Sequence, residues 1–320
     1  SSRRTNTIMA PLPPSSAGGG GGGGGVGGGV TDDDGGGASG SGVGSAAGSG
    51  TGSGVTGMTG VTGGVTGGAI RGIGEAIAFR YAMEGARVVV SARTVEEGDH
   101  ALGGSINGVV ARILAAGGEA HAIRCDLAIE EHRVNLVKET EQVFGPIDIM
   151  VNNAAVTYFT PVEIFKQKHY DLMLNVQVYA PFHLAQLILP AMKKKGSGRI
   201  LNISSHAAIH PAKDLGGRGG TVYGMCKAAL ERFTTGLASE VYEDGISVNV
   251  ISPGLVATPG VVHHKLITED TPEESITPVE HMAEACLRLV HGDSKELTGM
   301  VTYAVDMIND YNLTPAELLA

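Results

Sequence analysis

From Ala86 onward, short aliphatic runs alternate with longer stretches in which apolar residues recur every three or four positions. The runs suit strands buried on both faces, and the periodic stretches suit amphipathic helices. Strands are therefore expected at residues 86–92, 119–126, 147–154, 199–204, 246–252 and 300–306. Helices are expected near 108–116, 130–144, 164–193, 222–242 and 279–290. Ahead of these, a glycine-rich turn opens a helix that stops near Gly85, with Ile73, Ile77 and Met83 available for one side. Strands separated by crossover helices predict an α/β, doubly wound parallel sheet in three layers, a single domain from residue 65 to about 306. In such a sheet, ligands bind beyond the carboxyl ends of the strands.

The strand before the glycine turn fits this pattern poorly. It should be central and aliphatic, yet it must come from Gly-Met-Thr-Gly-Val-Thr-Gly-Gly-Val-Thr at 57–66. Glycine adds little packing and weakens a strand. Either the fold tolerates a poor first strand, or this N-terminal sequence is not that of a working protein.

Composition changes the picture mainly at the two ends. More than half of the 50 glycines precede Ala69, and glycine is unbroken from 18 to 25. Residues 1–64 are expected to form a Gly/Ser-rich disordered leader, because they cannot bury enough apolar surface to offset their ordering entropy. Asp32, Asp33 and Asp34 then read as a solvated acidic cluster rather than a cation site. Arg3 and Arg4 among Ser and Thr leave organellar targeting open, although the acidic triplet and polyglycine suit a transit peptide badly. Residues 307–320 are read as a tail.

A formal charge of −10 and a pI near 5.5 argue against a nucleic-acid binder, which usually carries a basic face. No unbroken apolar run has the length of a membrane-spanning helix, so no membrane partner is expected. Cys125, Cys226 and Cys286 are widely spaced and read as free thiols in a reducing compartment, so a cytoplasmic location is expected.

Candidate chemistry gathers between Ser205 and Lys227. Tyr223 and Lys227 stand four apart within a helical stretch and so share a face. A phenol exchanges protons at neutral pH only when something lowers its pKa, and a neighbouring ammonium could do so. Upstream, Gly68, Gly72 and Gly74 would let backbone amides approach a pyrophosphate at a helix N-terminus, where the dipole also favours an anion.

Taken in order, the motifs Gly68-x-x-x-Gly72-x-Gly74, Asp126, Asn152-Asn153-Ala154-Ala155, Asn175, Ser204-Ser205, Tyr223-x-x-x-Lys227 and Pro253-Gly254 resemble those of the short-chain dehydrogenase/reductase family. Its fold is a single-domain Rossmann-type sheet. Stretches 91–99 and 221–264 also resemble a subgroup labelled citronellol or citronellal dehydrogenase. The resemblance implies an NAD(P)-dependent oxidoreductase that interconverts an alcohol and a carbonyl compound by hydride transfer. Tyr223 would exchange a proton with the substrate oxygen, Lys227 would lower the Tyr223 pKa and hold the nicotinamide ribose, and Ser205 would hydrogen-bond the oxygen. Asn175 would bend its helix and hold a water linking Lys227 to solvent, and Ser204 would be structural.

For the cofactor, the resemblance places Asp126 on the adenine, Asn152 and Ala154 along the adenosine, and Pro253, Gly254, Val256 and Thr258 at the nicotinamide. Gly68, Gly72, Ile73 and Gly74 would form the pyrophosphate turn. An acid ending the second strand normally grips a ribose 2′-hydroxyl. Here that end reads Val90-Ser91-Ala92-Arg93, and Arg93 with Arg71 could instead pair with a 2′-phosphate. NADP(H) is therefore preferred, with NAD(H) still possible. The family's usual assembly implies a homodimer or homotetramer.

Several features depart from the family pattern. Gly67 stands where a Thr is usual, which leaves the register of the phosphate turn open. Ser205 and Tyr223 are unusually far apart in sequence, separated by a Gly-rich loop at 206–220. That loop, with Tyr158, Phe159 and residues 255–277, is expected to shape the substrate pocket. His206, His210, His263 and His264 lack an acidic or thiolate cluster and read as loop histidines rather than metal ligands. Val305-Asp306-Met307-Ile308 replaces the Asp-Gly-Gly common after the last strand. The rival to the enzyme reading is a catalytically inactive nucleotide-binding relative that acts as a binding module.

Overall fold

The computed structural model of the protein describes residues 62–67, 71–99, 103–213, 219–263, 267–268 and 270–318. Most of the expected leader, Gly68 of the phosphate turn, His264 and the middle of the 206–220 loop lie outside the described residues. In chain order the elements are β1 (Thr62–Gly67), α1 (Gly72–Met83), β2 (Arg87–Ala92), α2 (Ile106–Ala115), β3 (Glu119–Arg124), α3 (Glu130–Phe144) and β4 (Ile149–Asn152). There follow α4 (Gln167–Leu174), α5 (Ala180–Lys195), β5 (Gly198–Ile203), α6 (Thr221–Glu240) and β6 (Ile246–Ser252). The last are α7 (Pro259–His263), α8 (Val279–Val290), β7 (Val301–Tyr303) and α9 (Ala304–Asp310).

The strands form one sheet in the order β3-β2-β1-β4-β5-β6-β7, every neighbouring pair parallel. β-branched residues dominate its centre: Val88, Val89 and Val90 of β2 are fully buried, as are all seven residues of β6. Successive strand residues point to opposite faces, so Val88 and Val90 join the apolar layer of α1, α2 and α8. Val89 joins the layer of α3, α5 and α6 on the other side. Both faces are thus covered, as an all-parallel sheet requires.

The glycine-rich β1 forms despite its sequence. It sits between β2 and β4, pairing Gly64 with Val88 on one side and with Ile149 on the other. Backbone groups make a ladder without help from side chains, and two flanking strands satisfy both edges. The poor sequence leaves its mark as a register irregularity between Thr62 and Gly64.

Other expectations are corrected. The last strand, expected to reach residue 306, stops at Tyr303, and α9 takes over, burying Ala304 and Met307 against α8. β3 and β4 end at Arg124 and Asn152, short of their expected 126 and 154, because the next residues turn away to line a cleft. The helix expected at 164–193 is α4, a π-helical turn at Asn175–Tyr179, and α5. Together these make a continuous 29-residue helix, Gln167–Lys195, long and apolar enough to cross a membrane by length and composition alone, although polar residues interrupt its apolar run, as expected. Its apolar residues have another use: Met173, Leu184, Ala185, Ile188 and Met192 are buried in the protein core. On α1, Ile77 is buried as expected, but Met83 is exposed at the end of the helix.

Candidate active site

Beyond the carboxyl ends of the strands the loops enclose a cleft of about 900 Å³. Ser205 follows β5, where its backbone turns to cap a short 3₁₀ segment, His206–Ala208, and its Oγ accepts from the Ala207 N–H at 3.2 Å. Tyr223 and Lys227 enter from the first two turns of α6. All three line the cleft, and Tyr223 shares a hydrogen bond with Ser205. Lys227 is 2 % exposed, and its Nζ donates to the Ile203 carbonyl at 2.7 Å.

Burial dominates the electrostatics here. It pushes the Tyr223 phenol above its ordinary value, with Cys226 adding to the rise and the Ser205 hydrogen bond opposing it. It lowers the Lys227 ammonium from 10.5 to about 8, against Cys226 and Glu231, which hold it up. The expected depression of Tyr223 by Lys227 is therefore corrected. The Lys227 Nζ is engaged with Ile203 and lies 5.7 Å from the Tyr223 ring centroid, so loss of water outweighs its attraction for a phenolate.

The other expected residues divide into two groups. Arg71, Ile73, Arg93, Asp126, Ala154, Pro253, Gly254, Val256 and Thr258 line the same cleft. Gly72 has φ +60°, and a Cβ there would come within 2.9 Å of Thr258 Cγ2, so the turn and the Thr258 segment close on each other only around glycine. Gly254 is equally tight, since its Cβ would meet the Thr277 hydroxyl. Gly74 is buried in α1 and does not reach the cleft. Arg71 donates to the Gly103 carbonyl and feels Glu97. Arg93 is exposed at the end of β2.

Asn152 is not a wall of the cleft. As the last residue of β4 it points at β5, and its Nδ2 donates to Asn202 Oδ1 at 2.8 Å; Asn202 in turn donates to Thr234. Asn153, one residue on, lines the cleft instead. Asn175 also lies away from it, beside a second hollow of about 580 Å³. It opens the π-helical turn, and its Nδ2 donates to the Ala128 carbonyl at 2.9 Å while Oδ1 is buried without a protein partner. Tyr158 stacks on His169 at 3.9 Å, leaving Phe159 to face the cleft beside Tyr223. His206 lines the cleft and stacks on Tyr303, whereas His210 is exposed outside it. Ser204 is buried and bonded to Glu231, the structural role expected of it. Sequence reasoning missed Ser91, Thr94 and Cys125 as cleft residues; they line it beside the ends of β2 and β3. Cys125 marks the end of β3, and burial raises its thiol to about 11.

The pattern of the family described as short chain dehydrogenase matches residues 64–266. The short-chain reductase protein NovJ of Streptomyces niveus is 36 % identical over 191 residues, 60 % of this chain and 68 % of that one. Among solved structures, L-sorbose reductase from Gluconobacter frateurii, complexed with NADPH and L-sorbose, aligns with a TM-score of 0.67 at 26 % identity, covering 78 % of this chain and 96 % of that one. A 3-oxoacyl (acyl-carrier-protein) reductase from Agrobacterium tumefaciens with NADP bound aligns with a TM-score of 0.66 at 25 % identity, covering 77 % and 93 %. With the family pattern running from β1 past β6 and the serine, tyrosine and lysine of its motif meeting in one cleft, the chain belongs to the short-chain dehydrogenase/reductase family of oxidoreductases.

Proposed function

We propose that this chain is an NADP-preferring reductase of small, fairly apolar carbonyl compounds, with Tyr223 as the proton donor. The observation that carries the reading is the convergence of Ser205, Tyr223 and Lys227 on a cleft that Arg71 and Arg93 also line, Arg93 following β2, three places from β5 in the sheet. The cleft fits a dinucleotide: Gly72 leaves the space a side chain would fill, and two guanidinium groups suit a phosphate. When bound, NADP(H) supplies or accepts the hydride.

The chain's own residues have distinct tasks in this reading. Arg93 and Arg71 hold the 2′-phosphate, and Asp126, Asn153 and Ala154 border the adenosine. Lys227 holds the ribose with its ammonium. Ser205 donates a hydrogen bond to the substrate oxygen, and Tyr223 hands that oxygen its proton. A phenol raised by burial is protonated at neutral pH, which favours the carbonyl-reducing direction. Val156, Phe159, Leu255 and Val261 give the substrate end an apolar wall, consistent with aliphatic or terpenoid aldehydes and ketones. Asn175 serves the lysine through a water rather than touching substrate. Tyr179, Phe182 and Met225 are large apolar residues exposed on the π-turn, α5 and α6, and we assign that face to a homodimer or homotetramer. Three separate buried thiols suit the cytoplasm.

The test is a titration with NADPH and NADH followed by nicotinamide fluorescence, then by turnover of apolar carbonyl compounds. NADPH should bind more tightly, and Arg93→Ala should weaken it roughly 10- to 100-fold, the loss of one charge-assisted hydrogen bond. Tyr223→Phe should keep binding and abolish turnover. Failure of both nucleotides to bind sinks the reading.

A further inference from the structure

Three residues on one stripe of α6, each four positions after the last, grip the end of β5. Tyr223 shares its hydrogen bond with Ser205. Lys227 donates to the Ile203 carbonyl at 2.7 Å, and Glu231 Oε1 accepts from Ser204 Oγ at 2.6 Å. The first two contacts belong to groups already given a task, but the third does not. Ser204 is 3 % exposed, and its backbone N–H donates to the Ile251 carbonyl at 2.8 Å, so β6 holds its backbone while Glu231 holds its hydroxyl. Consecutive residues 203, 204 and 205 are thereby each tied to a different turn of one helix.

We propose that Glu231 is a positioning residue of this site: its carboxylate, clamped by Ser204, sets the end of β5 against α6 and supplies the negative charge that Lys227 feels from its own helix. The inference rests on the reading of Ser205, Tyr223 and Lys227 as the working groups. Among the described residues, Cys226 and Tyr223 on α6 lie against Lys227, and Tyr303 on β7 feels Glu231 while itself facing His206 after β5 and Asp306 on α9. Among the described residues, Glu231 is the one carboxylate that acts on Lys227. Burial leaves the ammonium at about 8, close enough to neutral pH that losing the upward pull of Glu231 should bring it nearer to titrating there.

The experiment compares the wild-type chain with Glu231→Gln and Ser204→Ala. Lys227 is titrated by NMR in protein carrying ¹³Cε-labelled lysine, its signal assigned by its loss in Lys227→Met. NADPH affinity is measured in parallel from pH 6 to 9. Glu231→Gln should move the Lys227 midpoint toward acid by about 1 pH unit, the lower end of what a nearby opposite charge supplies. NADPH affinity should then fall about fivefold at pH 8 and less than twofold at pH 6, following the charged fraction of Lys227. Ser204→Ala releases the carboxylate while retaining it, and should move the midpoint the same way by less. A merely structural role would lower thermal stability without moving the lysine. An unchanged Lys227 midpoint in Glu231→Gln, or in Ser204→Ala should the first variant not fold, overturns the proposal. Failure of the wild type to bind NADPH at any pH would defeat the cofactor reading, while the lysine titration would still decide the role of Glu231.

Discussion

A buried ammonium kept for function should make the protein less stable than it could be, and Lys227→Met exposes that cost. Lys227 titrates at about 8 in the folded chain against 10.5 as its ordinary value. At 1.36 kcal/mol per unit, keeping it charged in the folded state costs about 3 kcal/mol below pH 8. Between pH 8 and 10.5 the unfolded chain holds more protons than the folded one, so wild-type stability from this group rises with pH through that window and is lost as pH falls through 8. Methionine carries no such penalty, but it leaves the Ile203 carbonyl without its donor, a loss of about 1–3 kcal/mol that does not depend on pH. At pH 7 the two effects nearly offset, and Lys227→Met should be as stable as wild type or up to about 2 kcal/mol more so. By pH 10 the advantage should have fallen by about 2–3 kcal/mol. Cys125 and Cys286 are common to both proteins and do not feel Lys227, so their titration cancels in the difference, whereas Cys226 does feel it and is replaced by Ala in both proteins. Urea unfolding of both proteins at pH 7, 8, 9 and 10 gives the comparison directly. A stability difference that stays flat across that range would refute the buried-charge reasoning, whatever happens to activity.

Two further outcomes follow from packing. Gly72→Ala combines a left-handed backbone, costing about 1–2 kcal/mol, with a Cβ pressed against Thr258, so both the melting temperature and NADPH affinity should drop; adding Thr258→Ala should relieve only the contact part, and full recovery in the double variant would contradict the backbone part. Glu284→Ala on α8 strips Arg80 of α1 of its buried partner at 2.7 Å, and although Glu84 also pairs with Arg80, a loss of about 3–5 kcal/mol is expected in urea unfolding; a loss under about 1 kcal/mol would mean that water reaches the guanidinium.

Periodicity alone located most of the sheet and its helices, because strands covered on both faces must be aliphatic and crossover helices must carry an apolar stripe. Residues whose side chains act locally on one helix face, such as Tyr223 and Lys227, were legible for the same reason. Other features depended on neighbours distant in sequence. Asn152 and Asn153 are chemically identical in sequence, and only the pairing of β4 with β5 turns the first toward Asn202 and leaves the second in the cleft. Glu231 looks like an ordinary helix-surface acid until the end of β5 brings Ser204 to it. The glycine-rich β1 had no pattern to read, since its place is set by backbone ladders to β2 and β4. The sign of the Tyr223 shift was also a tertiary matter, because spacing shows that Lys227 is near but not how much water the surrounding chain removes from both. What the sequence determined by itself was the architecture and the candidate serine, tyrosine and lysine of the site. What the tertiary structure decided was which side chains face one another across the strand ends, and how strongly burial tilts their protonation.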